Sequence, residues 1–180
     1  MDTHSEKEVK RWVFPMLCGG VYDVARDVSS PRHYLKLCDT NEALRCALPP
    51  HWEVQPQNYF MEANALANET PCLPYGYKIE LHQEGPVARV RIVAPNGDIA
   101  ANGSAAETMD AFVYDRIETA LDYRRKGLGI AVMRALESSK KSSRSRQLLV
   151  ATDDGRSLYE RLGWMVISPF ATATIPDSNT

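Results

Sequence analysis

The amino-acid sequence predicts an α+β fold, a twisted and mostly antiparallel sheet flanked by helices. Two observations predict it. Between residues 76 and 119, short segments alternate apolar and polar residues, as half-buried strands do, and Asn96-Gly97 between two of them suits a hairpin turn. After residue 127, apolar residues recur at helical spacing in two segments that enclose an apolar strand. A mostly antiparallel meander flanked by helices is typical of the α+β class.

The C-terminal part has the clearest secondary-structure pattern. A helix is expected to begin at Leu128, and a second helix, about 155–162, is expected to be capped by Asp153 or Asp154 and to end at Gly163. Strands are expected at 77–83, 87–94, 99–106, 110–119, 147–152, 164–167 and 171–175. Because the 99–106 strand is rich in Ala and Gly, we expect another part of the structure to lie close against it.

The first 75 residues have a weaker pattern. We expect two domains, a divergent N-terminal region, 1–75, that packs on a core of residues 76–180. The first dozen residues are predicted to be disordered, and Gly19-Gly20 is expected to close the short apolar patch that follows.

A strand–helix–strand unit is expected within this N-terminal region. It has a strand at 33–38, a helix at 40–48 and a further strand interrupted by Pro56. Asp39 is predicted to cap the helix, with Glu42 three residues later as in a capping box. The unit is similar in pattern to 149–164. Two interpretations stay open, a degenerate half-repeat or chance similarity, and we favour chance.

Composition excludes several functional classes. Hydrophobic residues make up 44% of the 180 residues, enough for a core, and the formal net charge of -2 gives no general attraction to nucleic acid. No apolar run approaches the ~20 residues that span a bilayer, and the polar N-terminus has no signal-peptide core. The four cysteines and four histidines lack metal-ligand spacing. We expect a cytoplasmic protein with free thiols, no metal, and no membrane or nucleic-acid partner.

The segment between the 110–119 strand and the helix at Leu128 has the pattern of a phosphate cradle. It reads Arg-x-x-Gly-x-Gly from Arg124 to Gly129. Glycines let the backbone approach a ligand closely, and a helix start offers unpaired N–H groups and the positive end of a dipole. No Gly-Lys-Ser/Thr follows, so it is not a Walker motif. It has only two glycines after an antiparallel sheet, unlike a dinucleotide fingerprint.

Two motifs resemble those of the GNAT superfamily of acetyltransferases. Residues 122–129, Asp-Tyr-Arg-Arg-Lys-Gly-Leu-Gly, are similar to its pyrophosphate loop, and 157–164, Ser-Leu-Tyr-Glu-Arg-Leu-Gly-Trp, are similar to its second signature. The resemblance covers about 87–175 and implies the GNAT fold with acetyl-coenzyme A as co-substrate. The implied coenzyme-binding residues are Ile117 and Thr119 for pantetheine and Arg124, Arg125, Lys126, Gly127, Leu128, Gly129 and Ile130 for pyrophosphate.

The resemblance also implies catalytic residues. Tyr159 matches the tyrosine that protonates the coenzyme sulfur, although an amphipathic helix would also use it for packing. Glu118 is our first choice as general base, with Asp115 expected on the opposite face by alternation. A structural role for Glu118, such as an ion pair with Arg116, and an ordered water relay stay open as alternatives.

The function implied is direct transfer of acetyl to a primary amine of a small molecule or a protein. The alternative is a catalytically weak acyl-coenzyme A-binding sensor or regulatory module. Arg156 is expected to be solvated rather than to reach the coenzyme. We expect the basic residues of the Ser-rich linker to be solvated too; these are Lys140, Lys141, Arg144 and Arg146. A homodimer is compatible with the sequence, and the acceptor is not identified by it.

Overall fold

The computed structural model describes residues 2–5, 8–63 and 73–177, with side chains from residue 8 onward. Its contacts divide the chain into two compact units. We call the group of residues 1–61, 150–160 and 166–180 the N-terminal unit, and the group 62–149 and 161–165 the meander unit. The predicted boundary divided the chain once, between residues 75 and 76. In this grouping the N-terminal unit also includes two segments from the C-terminal part of the chain, 150–160 and 166–180.

The N-terminal unit contains an open mixed sheet. Strands β2 and β3 are parallel and connected by α1, and β11 is antiparallel to β3. The sheet order is β1-β2-β3-β11-β5, with β4 also pairing with β11. The elements are β1 Asp2–Ser5, β2 Glu8–Phe14, α1 Gly19–Asp27, β3 His33–Leu37, α2 Asn41–Ala47, β4 Glu53–Val54, β5 Asn58–Ala63, α4 Asp153–Arg161 and β11 Met165–Thr174.

The first part of this unit differs from the sequence prediction. The predicted disorder is wrong for residues 2–5, which form β1, and for residues 8–12, which belong to β2; the rest of the first dozen residues lie outside the described residues. Two contacts involve residues of β2. Arg11 Nε donates to Glu8 Oε1 at 2.6 Å, and the Trp12 ring stacks on the His33 ring with 5.6 Å between the ring centres. Helix α1 was not expected, since Gly19-Gly20 reads as a breaker but begins the helix here.

Two helix caps also differ from prediction. Thr40, not Asp39, caps α2, because its hydroxyl accepts a hydrogen bond from the Ala43 N–H at 3.2 Å. Asp39 instead accepts from the Thr40 N–H at 2.7 Å. At α4 the Thr152 hydroxyl accepts from the Gly155 N–H at 3.2 Å, so the helix begins at Asp153, inside the segment expected to precede it.

The end of the chain forms one strand where two were predicted. Strand β11 runs without a break from Met165 to Thr174. Pro169 has no N–H for a ladder, but the pairing of β11 with β3 is recorded from Ala171 onward, after the proline. The proline therefore does not interrupt the pairing of β11 with β3. Gly163 has the predicted left-handed conformation after α4, with φ of 86°.

The meander unit confirms the predicted strand order. Strands β6 to β9 form an antiparallel meander, and β10 begins parallel to β9, with Arg146 to Leu148 against Ala111 to Val113. The sheet order is β6-β7-β8-β9-β10. The elements are β6 Lys78–Glu84, β7 Val87–Val93, β8 Ile99–Glu107, β9 Ala111–Thr119, a 3₁₀ turn Leu121–Tyr123, α3 Leu128–Glu137 and β10 Arg146–Thr152.

Helix α3 is what lies against the Ala- and Gly-rich strand β8. A Cβ on Gly103 would come within 2.5 Å of Ile117 Cδ1 and 2.7 Å of Val132 Cγ1. The glycine therefore allows the helix and the neighbouring strand to approach β8 closely. The face of α3 turned to the sheet is buried and consists of Leu128, Ala131, Val132, Met133 and Leu136.

Candidate functional site

The predicted phosphate cradle is a tight loop between β9 and α3. Arg125 and Gly127 both have left-handed backbone, with φ of 63° and 73°. The conformation is easy for glycine but uncommon for arginine. The first bond of α3 is donated by the Ala131 N–H to the Gly127 carbonyl at 3.1 Å. The N–H groups just before Ala131 belong to the first turn, which lacks intrahelical acceptors, and this supplies the donors an anion needs.

The two glycines of the loop are required for different reasons. Gly127 needs its positive φ. Gly129 does not have that conformation, and a Cβ built on it would meet only Thr119 Oγ1, at an ordinary 3.6 Å. Neither backbone strain nor packing against the described residues therefore demands glycine at 129. A ligand lying against the start of α3 would demand it, since a side chain there would fill the ligand's space.

The cations of the loop have separate environments. Arg124 donates from Nε to the Thr119 carbonyl at 3.4 Å, which ties the loop to the end of β9. Lys126 Nζ lies 5.0 Å from the centre of the Tyr123 ring and 5.9 Å from that of Tyr77. It also donates to the Tyr77 hydroxyl at 3.3 Å. All three cationic side chains of the loop are exposed, so an anion can reach them.

Tyr77 and Tyr123, which we call the tyrosine clamp, were not identified from the sequence. Tyr123 donates from Oη to Asp98 Oδ2 at 2.7 Å, and Asn96 Nδ2 donates to Tyr123 Oη at 3.0 Å. The bond to Asp98 raises the pKa of the Tyr123 phenol. The β7–β8 hairpin turn thus holds the loop through Tyr123. The sequence shows a tyrosine inside the cradle motif, but it gives no sign that this tyrosine bonds to a turn that lies 25 residues earlier in the chain.

A β-bulge shapes the end of β9, where the base was predicted. Asn102 of β8 pairs with Glu118 and Ser104 pairs with Asp115. One residue of β8 therefore stands opposite two residues of β9, Arg116 and Ile117, and Arg116 has a φ of 53°.

The bulge corrects the predicted orientation of the two carboxylates. In a regular strand Asp115 and Glu118, three residues apart, would point to opposite faces. Their partners on β8, Ser104 and Asn102, are two residues apart, and residues directly opposite share a face. The extra residue of the bulge therefore puts both carboxylates on one face. Both are exposed.

Three neighbouring residues of β9 have different surroundings. Arg116 Nε lies 3.4 Å from Asp115 Oδ2, so the ion pair considered for Glu118 is made by Asp115. Ile117 turns its Cδ1 toward Gly103, on the side covered by α3. Thr119 Oγ1 is the atom nearest a built Cβ at Gly129. Thr119 therefore lies beside the cradle, and the role of its backbone in binding pantetheine stays a prediction.

Tyr159 belongs to the N-terminal unit, whereas the cradle belongs to the meander unit. Its side chain is buried, and burial raises the pKa of the phenol. The ring packs on Gly155, where a Cβ would lie 3.3 Å from both Tyr159 Cε2 and Thr152 Oγ1. A phenol with a raised pKa keeps its proton at neutral pH, as a proton donor must. Its place beside the coenzyme sulfur stays a prediction.

Arg156 is engaged within its own unit. It donates from Nε to Glu160 Oε1 at 2.7 Å, and its guanidinium lies 4.5 Å from the centre of the Tyr59 ring. The hydrogen bonds to Glu160 and Tyr59 raise the pKa of the guanidinium. The expectation of a solvated side chain is therefore wrong in this respect: Arg156 packs on an aromatic ring beside a carboxylate.

The basic linker is held by two carboxylates. Glu107 accepts hydrogen bonds from the Lys141 and Ser142 N–H groups, each at 2.9 Å. Arg146 donates to Glu62 through Nε and Nη2, at 2.5 and 2.7 Å, and this lowers the pKa of the Glu62 carboxyl. Arg146 is thus an ion-pair partner and not merely solvated. Lys141 and Arg144 have exposed side chains, as expected, whereas Lys140 is half-buried.

The other sequence predictions concern thiols, metals and membranes. Cys18, Cys38 and Cys46 are free thiols, and Cys72 lies outside the described residues. Among the residues described, no group of three or more Cys, His, Asp or Glu side chains is arranged to hold a metal ion. In the same part of the chain, no helix has the length and apolar character needed to cross a bilayer.

No protein-family model matches the sequence, and neither does any curated protein. The fold is similar to a GCN5-related N-acetyltransferase-like protein from Streptococcus suis, with a TM-score of 0.62 and 13% identity over 84% of this chain and 74% of that one.

Two further solved structures are similar. One is a GCN5-related N-acetyltransferase from Kribbella flavida, with a TM-score of 0.58 and 16% identity over 81% of this chain and 69% of that one. The other is a tandem GNAT protein from the clavulanic acid biosynthesis pathway, with a TM-score of 0.60 and 13% identity over 88% and 68%. At such identities the likeness establishes the fold and leaves the substrate open.

Proposed function

Because the chain has the GNAT fold, we propose that it is an acetyl-coenzyme A-dependent N-acetyltransferase that acetylates a primary amine. The observation that carries the proposal is Gly129. It stands in an Arg-x-x-Gly-x-Gly loop at a helix start, and none of the described residues comes close enough to require a glycine there. A diphosphate lying on the first turn of α3 supplies that requirement.

The coenzyme would be held mainly by backbone. N–H groups from Arg125 to Ile130 would bind its pyrophosphate, with Arg124 and Lys126 contributing positive charge. The backbone of Ile117 and Thr119 would bind the pantetheine arm. When bound, the coenzyme supplies an acetyl thioester. We also propose a cytoplasmic location, which the free thiols Cys18, Cys38 and Cys46 support.

The proposed reaction is a direct transfer. The amine nitrogen forms a bond to the thioester carbonyl carbon, and the carbon–sulfur bond then breaks. Glu118, or a water bonded to it, takes the proton that the amine loses. Tyr159 donates a proton or a hydrogen bond to the thiolate that leaves. A primary amine must be neutral to attack, so a carboxylate near its site serves as proton acceptor.

Calorimetry with acetyl-coenzyme A tests the cradle. The Gly129→Glu variant has room for its Cβ next to the protein's own atoms, so it should fold, but its carboxylate would occupy and repel the diphosphate. We expect binding to fall at least a hundredfold. Gly19→Glu is the matched control, since Gly19 also stands at a helix start with no atom within 4 Å of a built Cβ. Unchanged affinity in folded Gly129→Glu would refute the assignment.

Turnover distinguishes an enzyme from a binding module. A panel of small amines and peptide N-termini would be scored by release of free thiol from acetyl-coenzyme A. Thiol release that depends on one class of amine supports the transferase. Tight coenzyme binding with no acceptor-dependent release across the panel would favour the acyl-coenzyme A-binding sensor instead.

A further inference from the structure

Strand β6 is the terminal strand of the meander unit's sheet. All seven of its residues, Lys78 to Glu84, are exposed. Its inner edge pairs with β7 over its whole length, and in the part of the chain that is described no strand pairs with its outer edge. An open edge of this length presents unpaired backbone groups that another strand can bind.

One face of β6 is apolar and incompletely covered. Ile79 and Leu81 stand opposite the buried residues Ile92 and Val90 of β7, on the side of the sheet where α3 packs. Helix α3 lies mainly over β7, β8 and β9, so Ile79 and Leu81 remain 40% and 45% exposed. A strand added beside β6 would extend the sheet and cover these two side chains.

The opposite face of β6 is polar, and its four residues stand at symmetric positions about the middle of the strand, with a lysine at one end and a glutamate at the other. Lys78 and Glu80 precede Leu81, and His82 and Glu84 follow it. We propose that two copies of this chain pair through antiparallel β6 strands, with a two-fold axis at Leu81. Lys78 then stands opposite Glu84 of the second copy, and Glu80 stands opposite His82 of the second copy. Each contact occurs twice, as in any isologous interface.

Neighbouring registers lack this complementarity. A two-fold axis normal to the sheet keeps each face of the strand on its own side, so a residue can pair only with a residue on the same face of the second copy. The nearest alternative registers therefore have their axes at the residues next to Leu81. An axis at Glu80 would set two Glu80 side chains against each other. An axis at His82 would set Glu80 against Glu84 of the second copy. Directly opposed like charges destabilise a strand pair, so the sequence of β6 selects the axis at Leu81.

The charges on β6 distinguish this edge from a protected one. Edge strands commonly carry lysine to prevent pairing with other chains, and a run of one sign would have that effect. The acidic residues of β6 repel one another in neighbouring registers, whereas the register with its axis at Leu81 sets Lys78 against Glu84. A pair of seven-residue strands buries less surface than a standard stable interface. We therefore expect a weak dimer that forms at about 10 to 100 µM protein.

Charge reversal tests the register on the full chain by sedimentation equilibrium. Lys78→Glu and Glu84→Lys should each weaken the dimer about tenfold, since two attractive pairs become repulsive. The double variant should recover most of the loss, because it exchanges the partners. Arg45→Glu, an equal charge change on exposed α2, should have no effect. A parent that is monomeric at all concentrations overturns the proposal, as does a dimer indifferent to both single changes.

Cysteine scanning along β6 tests the axis itself. Residues paired on the axis have Cα atoms about 4.5–5.5 Å apart, within disulfide range. Under oxidation Leu81→Cys should therefore give a covalent dimer well above the parent's background. Gln83→Cys is the control on the same face, since the two copies of residue 83 would be about 13 Å apart. Cross-linking at residue 80 or 82 in preference to 81 would overturn the register.

Discussion

At the scale of single residues, the bulge in β9 puts two carboxylates, Asp115 and Glu118, on the same face of the sheet. Asp115 and Glu118 share a face, but Asp115 pairs with Arg116 while Glu118 stands nearer the end of the strand and the cradle. Because both are exposed carboxylates on one face, a substitution of Asp115 can serve as the control for the same kind of substitution at Glu118. The difference between them is position and the ion pair.

Glu118→Gln should lower kcat about a hundredfold if the carboxylate removes the amine proton. Coenzyme affinity should stay close to the parent's, because Glu118 is not assigned a contact with the phosphates. Asp115→Asn is the control and should retain near-parental turnover. Steady-state kinetics with a saturating amine measures both, and equal rates for the two variants would remove Glu118 from the base role.

Tyr159→Phe should cut kcat by roughly ten- to a thousandfold and leave coenzyme affinity nearly intact. The ring is buried, so phenylalanine keeps its packing on Gly155 and removes only the hydroxyl. Tyr22→Phe is the control, because it removes a hydroxyl from a half-exposed tyrosine that is not assigned to the site. If Tyr159→Phe matches the parent in turnover, Tyr159 has a packing role only.

At the scale of secondary-structure elements, the close approach of α3 to β8 sets the position of the cradle. The helix begins at the loop and lies against Gly103, so any displacement of the helix displaces the N–H groups of its first turn. The hairpin turn of β7 and β8 holds the other end of the loop through the tyrosine clamp. Two contacts therefore fix the cradle relative to the meander.

Gly103→Val should destabilise the protein by about 1–3 kcal/mol, the usual cost of overpacking a well-filled site. The Cβ alone would meet Ile117 and Val132 at under 3 Å. Urea unfolding measures the change. Ala105→Val is the control. It adds two methyl groups at a buried position two residues further along the same face of β8, where the parent residue is not a glycine. Unaltered stability in Gly103→Val would mean that the helix moves freely.

Tyr123→Phe should weaken acetyl-coenzyme A binding about three- to tenfold, because it removes the hydrogen bonds that join the loop to Asn96 and Asp98. The aromatic ring near Lys126 remains, so the effect isolates the bond to the hairpin. Tyr75→Phe is the matched control, since Tyr75 is fully exposed. Calorimetry that found equal affinity for both variants would show that the clamp does not position the loop.

Local sequence patterns predicted some elements well and others not at all. Strands β7 to β9 follow from alternation and from Asn96-Gly97, and the cradle follows from glycines directly before a helical pattern. Helix α1 was missed because Gly19-Gly20 usually ends structure rather than beginning it. The orientation of Glu118 was missed because a bulge shifts alternation and leaves no mark in sequence. The bond between Tyr123 and Asp98 depends on tertiary contact.

At the scale of the whole molecule, the chain order and the packing order differ. The core of the N-terminal unit includes residues from both ends of the chain: Leu35, Leu37, Leu44 and Trp52 pack in one buried cluster with Ala171, Ala173 and Ile175. Strand β11 also pairs with β3, from Leu37 against Ala171 to Tyr34 against Thr174. The C-terminal strand therefore depends on the N-terminal residues for its burial.

Removal of residues 1–75 should give an insoluble or unfolded protein. The deletion would expose the apolar residues of β11 that the N-terminal cluster buries, and leave the strand without β3. Expression and soluble yield of 76–180 measure this, with removal of residues 1–7 alone as the control, since the buried cluster lies beyond them. A soluble 76–180 fragment with full acetyltransferase turnover would make the N-terminal residues dispensable.

The pairing of β3 with β11 also determines when the protein can fold during its synthesis. Leu37 cannot meet Ala171 until the ribosome has added the residues between them, which takes on the order of ten seconds at typical elongation rates. The meander, whose strands are neighbours in sequence, can form while that synthesis continues. Until β11 emerges, β3 and Trp52 lack part of their apolar cover, so the nascent N-terminal segment is the part of this protein that chaperones should bind.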